Sequence, residues 1–394
     1  MDSLPVETHK EIIQRTHPIV RQVLRLTNKY FYSLVMPAQV KFLNFGVTHG
    51  YLKYCAVGLN RGEDNRNACY CSAESGRLEV LQWVRSQGCP WDTWTCVRAA
   101  ANGHLEILKW LRGVLDLPGL NENTVCPWDA YTCSLAARGG HLELLKWARS
   151  QGCPWDLYTC SQAARNGHLE VLQWARSQGC EWDKSTCANA ASKGHLEVLR
   201  WVRSQGCEWD VDTCMNAAAG GHLEILKWVR SQECPWNVDT CAAAARCGRL
   251  EVLRWARKHG CEWDESTCAN AASNGHLEVL QWAHTHGCPW NKYTCAHAAS
   301  SGHLKVLQWA RTQGCPWDKY TCAWAAESNQ LEVLQWAREN GCPWNKHTCE
   351  HAAANGHLEV LKWAYENGCP WNPKADIISC YSSCIQDYAK SLRG

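Results

Sequence analysis

The 394-residue chain carries 40 Lys and Arg against 38 Asp and Glu, so its formal net charge is only +2. That balance gives no general attraction to nucleic acid or to an anionic membrane surface. No stretch approaches the ~18 apolar residues of a membrane span, and Met1-Asp2-Ser3-Leu4-Pro5 lacks the apolar core of a secretory signal, so the expected location is cytoplasmic.

Residues 1–44 do not repeat. Leu4-Pro5-Val6-Glu7 leads into Ile12-Ile13, then the apolar positions Ile19, Val20, Val23, Leu24 and Leu26, then Asn28-Lys29-Tyr30-Phe31-Tyr32-Ser33-Leu34. This order resembles a shortened F-box, the segment that docks on the Skp1-type adaptor of cullin ubiquitin ligases. The resemblance implies that Leu4, Pro5, Ile12, Ile13, Val23 and Leu24 form the docking surface. The alternative reading is a small helical cap over the first repeat's apolar face.

From residue 45 to 394 the chain is a repeat array of about 11 regular units, with a degenerate unit around His49-Gly50-Tyr51-Leu52-Lys53 at its start and a more polar closing unit after Trp371. Leu-Glu-Val-Leu-Gln-Trp or a close variant ends at Trp83, Trp110, Trp147, Trp174, Trp201, Trp228, Trp255, Trp282, Trp309, Trp336 and Trp363. The spacing is 27 residues except for 37 between Trp110 and Trp147, where an insertion around Gly113–Gly119 predicts a longer loop. Each copy is followed by Cys-Pro-Trp or Cys-Glu-Trp and then Asp or Asn where the pattern is complete, as at Cys153-Pro154-Trp155-Asp156. Repetition therefore accounts for the 27 Cys and 24 Trp, and the odd cysteine count rules out complete pairing within the chain.

One repeat predicts two short helices. Asp156 is a candidate N-cap, its carboxylate accepting from a free N–H of the first turn. Gly167 ends the first helix in the left-handed region, His168 opens the second, and Gly179 terminates it. Leu169, Val171, Leu172, Trp174 and Ala175 cover more than one face, so the second helix must be sandwiched between neighbouring units. Full burial of each framework Trp would give at most ~4–6 kcal/mol. Glu233 stands where other units place the terminating Gly and predicts a local cost of ~1 kcal/mol if the left-handed conformation is kept.

Ala163-Ala164-Arg165-Asn166-Gly167-His168-Leu169-Glu170-Val171-Leu172 resembles the helix-turn-helix core of the ankyrin repeat. Gly179-Cys180-Glu181-Trp182-Asp183 is similar to the family's Gly-Ala-Asp-Val-Asn segment, and Thr186-Cys187 lies where the family has Pro-Leu. The unit is shorter than the usual ~33 residues, and the missing residues fall where ankyrins build a β-hairpin. The expected fold is thus all-α, an ankyrin-type helix-turn-helix solenoid with shortened loops and little or no strand.

The resemblance implies a protein-binding function, because ankyrins bind partners on a concave face lined by the first helix and the loop before it. The positions that vary there are the residue before Thr and the residue before Ala-Ala. They give Trp94, Arg98, Tyr131, Tyr158, Asp212, Asp239, Tyr293, His297, Tyr320, Trp324, His347 and His351 as candidate partner contacts, aromatic towards both ends and acidic in the middle. Joined to an F-box, such a face would make the chain the substrate receptor of a ubiquitin ligase; without one, an interaction scaffold. Cys-x6-Cys-x7-His, as in Cys153, Cys160 and His168, suggests zinc. His becomes Arg77, Arg249 and Gln330 in three units, however, and a tight thiolate pair is missing, so no metal and no cofactor are expected. Cys as a small buried apolar residue fits both positions better. The recurrent His is expected to cap the second helix and to bridge neighbouring units. No unlike cluster of nucleophile, base and orienting group breaks the repeat, so no enzymatic activity is expected.

Overall fold

The computed structural model describes residues 67–114, 125–372 and 382–392. The expected docking residues Leu4, Pro5, Ile12, Ile13, Val23 and Leu24 lie outside them, as does most of the 113–119 insertion. The chain divides into two compact units: residues 1–136 with 143–153, and residues 137–142 with 154–394. The described residues of each form a helix-turn-helix solenoid, and every element among them is a helix.

The first unit holds α1 (Ala68–Glu74), α2 (Leu78–Ser86), α3 (Thr93–Ala101) and α4 (Leu105–Leu111), with most of α5 (Ala130–Gly139) and α6 (Leu142–Ser150). In the second, first helices alternate with second helices: α7 (Leu157–Arg165), α8 (Leu169–Ser177), α9 (Lys184–Ser192), α10 (Leu196–Ser204), α11 (Val211–Gly220), α12 (Leu223–Ser231), α13 (Val238–Arg246) and α14 (Leu250–Lys258). The same order continues through α15 (Glu265–Ser273), α16 (Leu277–Thr285), α17 (Lys292–Ser300), α18 (Leu304–Thr312), α19 (Lys319–Glu327), α20 (Leu331–Glu339), α21 (Lys346–Ala354) and α22 (Leu358–Glu366). A closing helix α23 spans Ser383–Ser391. Each first helix of this unit packs on its own second helix and on the first helix of the next repeat.

Local chemistry sets the boundaries. Asp156 is extended and its Oδ1 accepts from the N–H of Tyr158 at 3.0 Å, which caps α7 as the sequence predicts. Both helices of a repeat end in a Schellman motif. At α7 the N–H of His168 reaches the carbonyl of Ala163 at 3.0 Å, with Gly167 at φ +79°. At α8 Cys180 does the same to Ala175, also at 3.0 Å. Glu233 keeps this geometry without a glycine, at φ +60°, and Cys234 still bonds the carbonyl of Val229.

The core is made of small residues. Ala163, Ala164, Cys160, Cys180, Val171, Leu172 and Ala175 are buried, and their equivalents recur through the second unit. The thiols do more than fill space. The Cys180 thiol donates to the carbonyl of the capping residue Asp156 at 3.5 Å, and the Cys160 thiol lies 4.0 Å from the carbonyl of Cys180. Contact between the two thiols pushes the Cys160 pKa up and the Cys180 pKa down, with burial raising both.

Two expectations need correction. His168 makes no capping bond to its own helix. It is purely a bridge: Nε2 meets the carbonyl of Arg138, thirty residues earlier, at 3.0 Å, and His276 and His357 repeat the contact at 3.1 and 2.9 Å. Arg249 substitutes for it by donating Nε–H to Ala219 at 3.2 Å. The framework tryptophans, moreover, are half-buried; Trp110 alone is fully buried among them. Trp155 and Trp174 meet edge-to-face at 5.8 Å on the repeat's rim, and the Arg176 guanidinium lies 4.1 Å over Trp182 while donating to the carbonyl of Cys180. Part of each ring stays in water, and the Arg176 guanidinium covers a face of Trp182, so the contribution of a framework Trp falls somewhat below the full-burial figure.

Candidate functional site

The positions that vary between repeats stand on the outward face of the first helices, held there by the buried Ala, Cys and Thr framework. Among the large apolar side chains, Trp94 is 52% exposed, Tyr131 57%, Tyr158 55%, Tyr293 42% and Tyr320 38%. Those values contrast with the complete burial of Cys and Ala one turn away on the same helices.

In the first unit Trp94 and Tyr131 stack at 6.3 Å with ring planes 21° apart. Asp92, Thr93, Val97 and Asp129 complete a cleft of about 250 Å³ beside them. Arg98 is turned away from it. Its guanidinium bonds Glu74 at 3.2 Å and lies 5.6 Å over Tyr70, a partner the repeat pattern did not single out.

In the second unit Trp324 gathers its neighbours. It stacks on Tyr293 at 6.0 Å and meets His297 at 5.2 Å and Tyr320 at 6.4 Å. Burial lowers the His297 pKa, so this ring is neutral at pH 7 and presents an uncharged aromatic surface. Lys292 sits 5.4 and 5.7 Å from the centroids of Tyr293 and Tyr320, and its ammonium bonds Asp318 at 2.9 Å. Beyond this cluster His347 and His351 lie 6.2 Å apart, His347 bonded to Glu350 at 2.8 Å and His351 to Glu327 at 3.0 Å. Tyr158, Asp212 and Asp239 are exposed at the same helical position, each with its backbone N–H held by the residue that caps its helix.

Sequence reasoning missed a polar groove of about 440 Å³ in the second unit. Arg165, Lys193 and Arg249 line it with Ser192, Asn216 and His222. Gly220, preceding the usual Gly221, leaves its floor open. The Gly220-Gly221 doublet was the available signal.

No protein-family model matches this sequence, and no curated protein matches it. Among solved structures, the ankyrin repeat domain of human ASB11 is similar over 40% of this chain and 84% of that one, at 17% identity and a TM-score of 0.33. That likeness is too slight to carry an argument. The helix-pair repeat stands on the geometry of this chain itself. Among the described residues no three His, Cys, Asp or Glu side chains converge as metal ligands. The imidazoles of the Cys-x6-Cys-x7-His pattern are directed at backbone carbonyls of the preceding repeat instead. No described helix is long and apolar enough to cross a membrane.

Proposed function

We propose that the chain is an ankyrin-type repeat protein that binds another protein through the outward face of its first helices, without catalysing a reaction. The observation that carries this reading is the exposure of aromatic side chains on the first helices of each unit, Trp94 and Tyr131 in the first and Tyr158, Tyr293 and Tyr320 in the second, directly after an Asp or Asn that caps the helix. Large aromatic side chains anchored on a rigid scaffold lose little conformational freedom on binding, and so carry much of the affinity of protein interfaces. Trp324 would extend the aromatic anchors, and Arg98, Asp212, Asp239, His297, His347 and His351, at equivalent variable positions of the first helices, would supply polar specificity.

The finer reading is that residues 1–44 dock on a Skp1-type adaptor, making the chain a substrate receptor of a cullin ubiquitin ligase. The order of Leu4, Pro5, Ile12, Ile13, Val23 and Leu24 supports it; the alternative is an interaction scaffold whose N-terminus is a cap. Capture of purified Skp1 by the full chain, compared with a Leu4→Ala, Pro5→Ala variant, separates the two. Capture by the parent and loss in the variant supports the receptor. Failure of both to capture, with unchanged helical content, leaves the scaffold.

A further inference from the structure

Among the described residues the same set of positions occurs once with a lysine between its rings and once without. Where the lysine is present, three positions cooperate. Lys292 is the first residue of α17, Tyr293 and Tyr320 are the second residues of α17 and α19, and Asp318 caps α19. The ammonium lies within 6 Å of both ring centroids and 2.9 Å from the Asp318 carboxylate. The lysine-to-cap bond is not peculiar to that place. Lys184 makes it to Asp210 at 2.7 Å, where the flanking residues are Ser185 and Asp212 and no aromatic rings are present. A lysine at the first helical position thus spans to the next repeat's cap carboxylate with or without the rings.

At the cleft without the lysine, Trp94 and Tyr131 take the places of Tyr293 and Tyr320, and Asp129 takes the place of Asp318. The position of Lys292 is held by Thr93, which has no charge and too short a side chain to reach Asp129. Asp129 uses Oδ1 to cap α5 through the N–H of Tyr131 at 3.0 Å, and no cation pairs with it among the described residues. Asp92, the cap of α3, adds a second carboxylate to the lining. The cleft has room for a side-chain terminus, at about 250 Å³, and its two rings are among the most exposed large apolar groups of the chain. Two ring faces and two carboxylates form a surface of one electrostatic sign, complementary to a cation with an aliphatic stem.

We infer that the Trp94–Tyr131 cleft receives a lysine side chain of the protein partner, its ammonium on Asp129 and Asp92 and its methylenes along the rings. This rests on the protein-binding reading and assigns one contact within it. The chain itself displays the recognised group in place, as Lys292 at the second cleft.

Two substitutions drawn from the chain's own repertoire test it without disturbing the fold. Asp129→Asn keeps the helix cap, since Asn291 caps α17 with the same bond at 2.9 Å, but removes the charge. Thr93→Lys installs the residue that stands at the equivalent place in α9, α17, α19 and α21. The probe is N-acetyl-lysine methylamide, and N-acetyl-norleucine methylamide is its neutral counterpart. Both are titrated into the full chain while the Trp94 indole N–H is followed by NMR and assigned by its disappearance in Trp94→Phe. The lysine probe is expected to shift that resonance saturably and the norleucine probe not. Asp129→Asn should weaken binding roughly two- to five-fold, the range of an exposed ion pair. Thr93→Lys should abolish it by occupying the cleft from within. An unsaturable response, equal response to the two probes, or undiminished binding by Thr93→Lys would overturn the assignment. The protein-binding reading would survive any of these, because it is tested separately by capture of a whole partner.

Discussion

Gly248 and Gly260 occupy the same left-handed conformation, at φ +69° and +86°, yet replacing them by alanine has different consequences. At Gly260 a new Cβ meets nothing within 4 Å, so Gly260→Ala costs the left-handed backbone strain less the freedom that glycine gives the unfolded chain, about 0.5–1 kcal/mol. At Gly248 the Cβ would lie 2.8 Å from both Cε1 and Nδ1 of His276 in the next repeat. The imidazole must move, and its bond to the Arg246 carbonyl at 3.1 Å is lost, which adds about 1 kcal/mol. Gly248→Ala should therefore destabilise by about 1.5–2 kcal/mol. In a His276→Ala background the same substitution should cost no more than Gly260→Ala, giving a coupling of about 1 kcal/mol. Urea denaturation followed by far-UV circular dichroism, with the slope m compared across the set, measures all the arms. Equal costs at Gly248 and Gly260, or a Gly248→Ala cost unchanged when His276 is absent, would refute the idea that the glycine is there to seat the bridging histidine.

Three further outcomes follow from the same geometry. Asp264→Ala removes the bond to the N–H of Ser266 and should cost about 1 kcal/mol in urea, whereas Asp264→Asn should be nearly neutral, because Asn237, Asn291 and Asn345 already cap their helices. Glu233→Gly should raise stability by about 0.5 kcal/mol, the relief of left-handed strain exceeding the added freedom of glycine in the unfolded chain; a lower urea midpoint would contradict it. Burial holds His297 below the ordinary imidazole value of 6.5, so the folded chain binds fewer protons there than the unfolded chain once the pH falls below that value. Stability should decline on acidification through the ordinary imidazole value of 6.5, and less steeply in His297→Asn, a residue the repeats already use as Asn270.

Much of the fold was legible because the repeat fixes local structure through residues whose effect is local. Asp156 caps, Gly167 and Gly179 terminate, and the Ala-Ala and Val-Leu pairs mark the buried sides. What escaped depends on contacts between repeats. Nothing local in Trp182 says that the Arg176 guanidinium will cover its indole, so the framework rings read as fully buried although part of each stays in water. The histidine's role was half legible, since its place at the start of a helix suggests a cap as strongly as a bridge. The candidate face was legible as the set of positions free to vary, but its grouping was not. That Lys292 would enter an aromatic pair and bind Asp318, or that Arg98 would be drawn off to Glu74, follows only from the distance between consecutive first helices.

On the proposed reading the aromatic positions of the first helices form a protein-binding face. The most direct measurement uses the Tyr293→Ser, Tyr320→Ser double variant, serine being the residue the chain itself places there at Ser185 and Ser266. Affinity for a purified partner, identified by cross-linking to the parent chain, is compared with that of the double variant and of a Glu251→Ala, Glu278→Ala control on exposed sites of the second helices. The face predicts a loss of about tenfold or more in the serine variant, with unchanged urea midpoint and little change in the control. Undiminished binding by the folded serine variant, or an equal loss in the control, would contradict it.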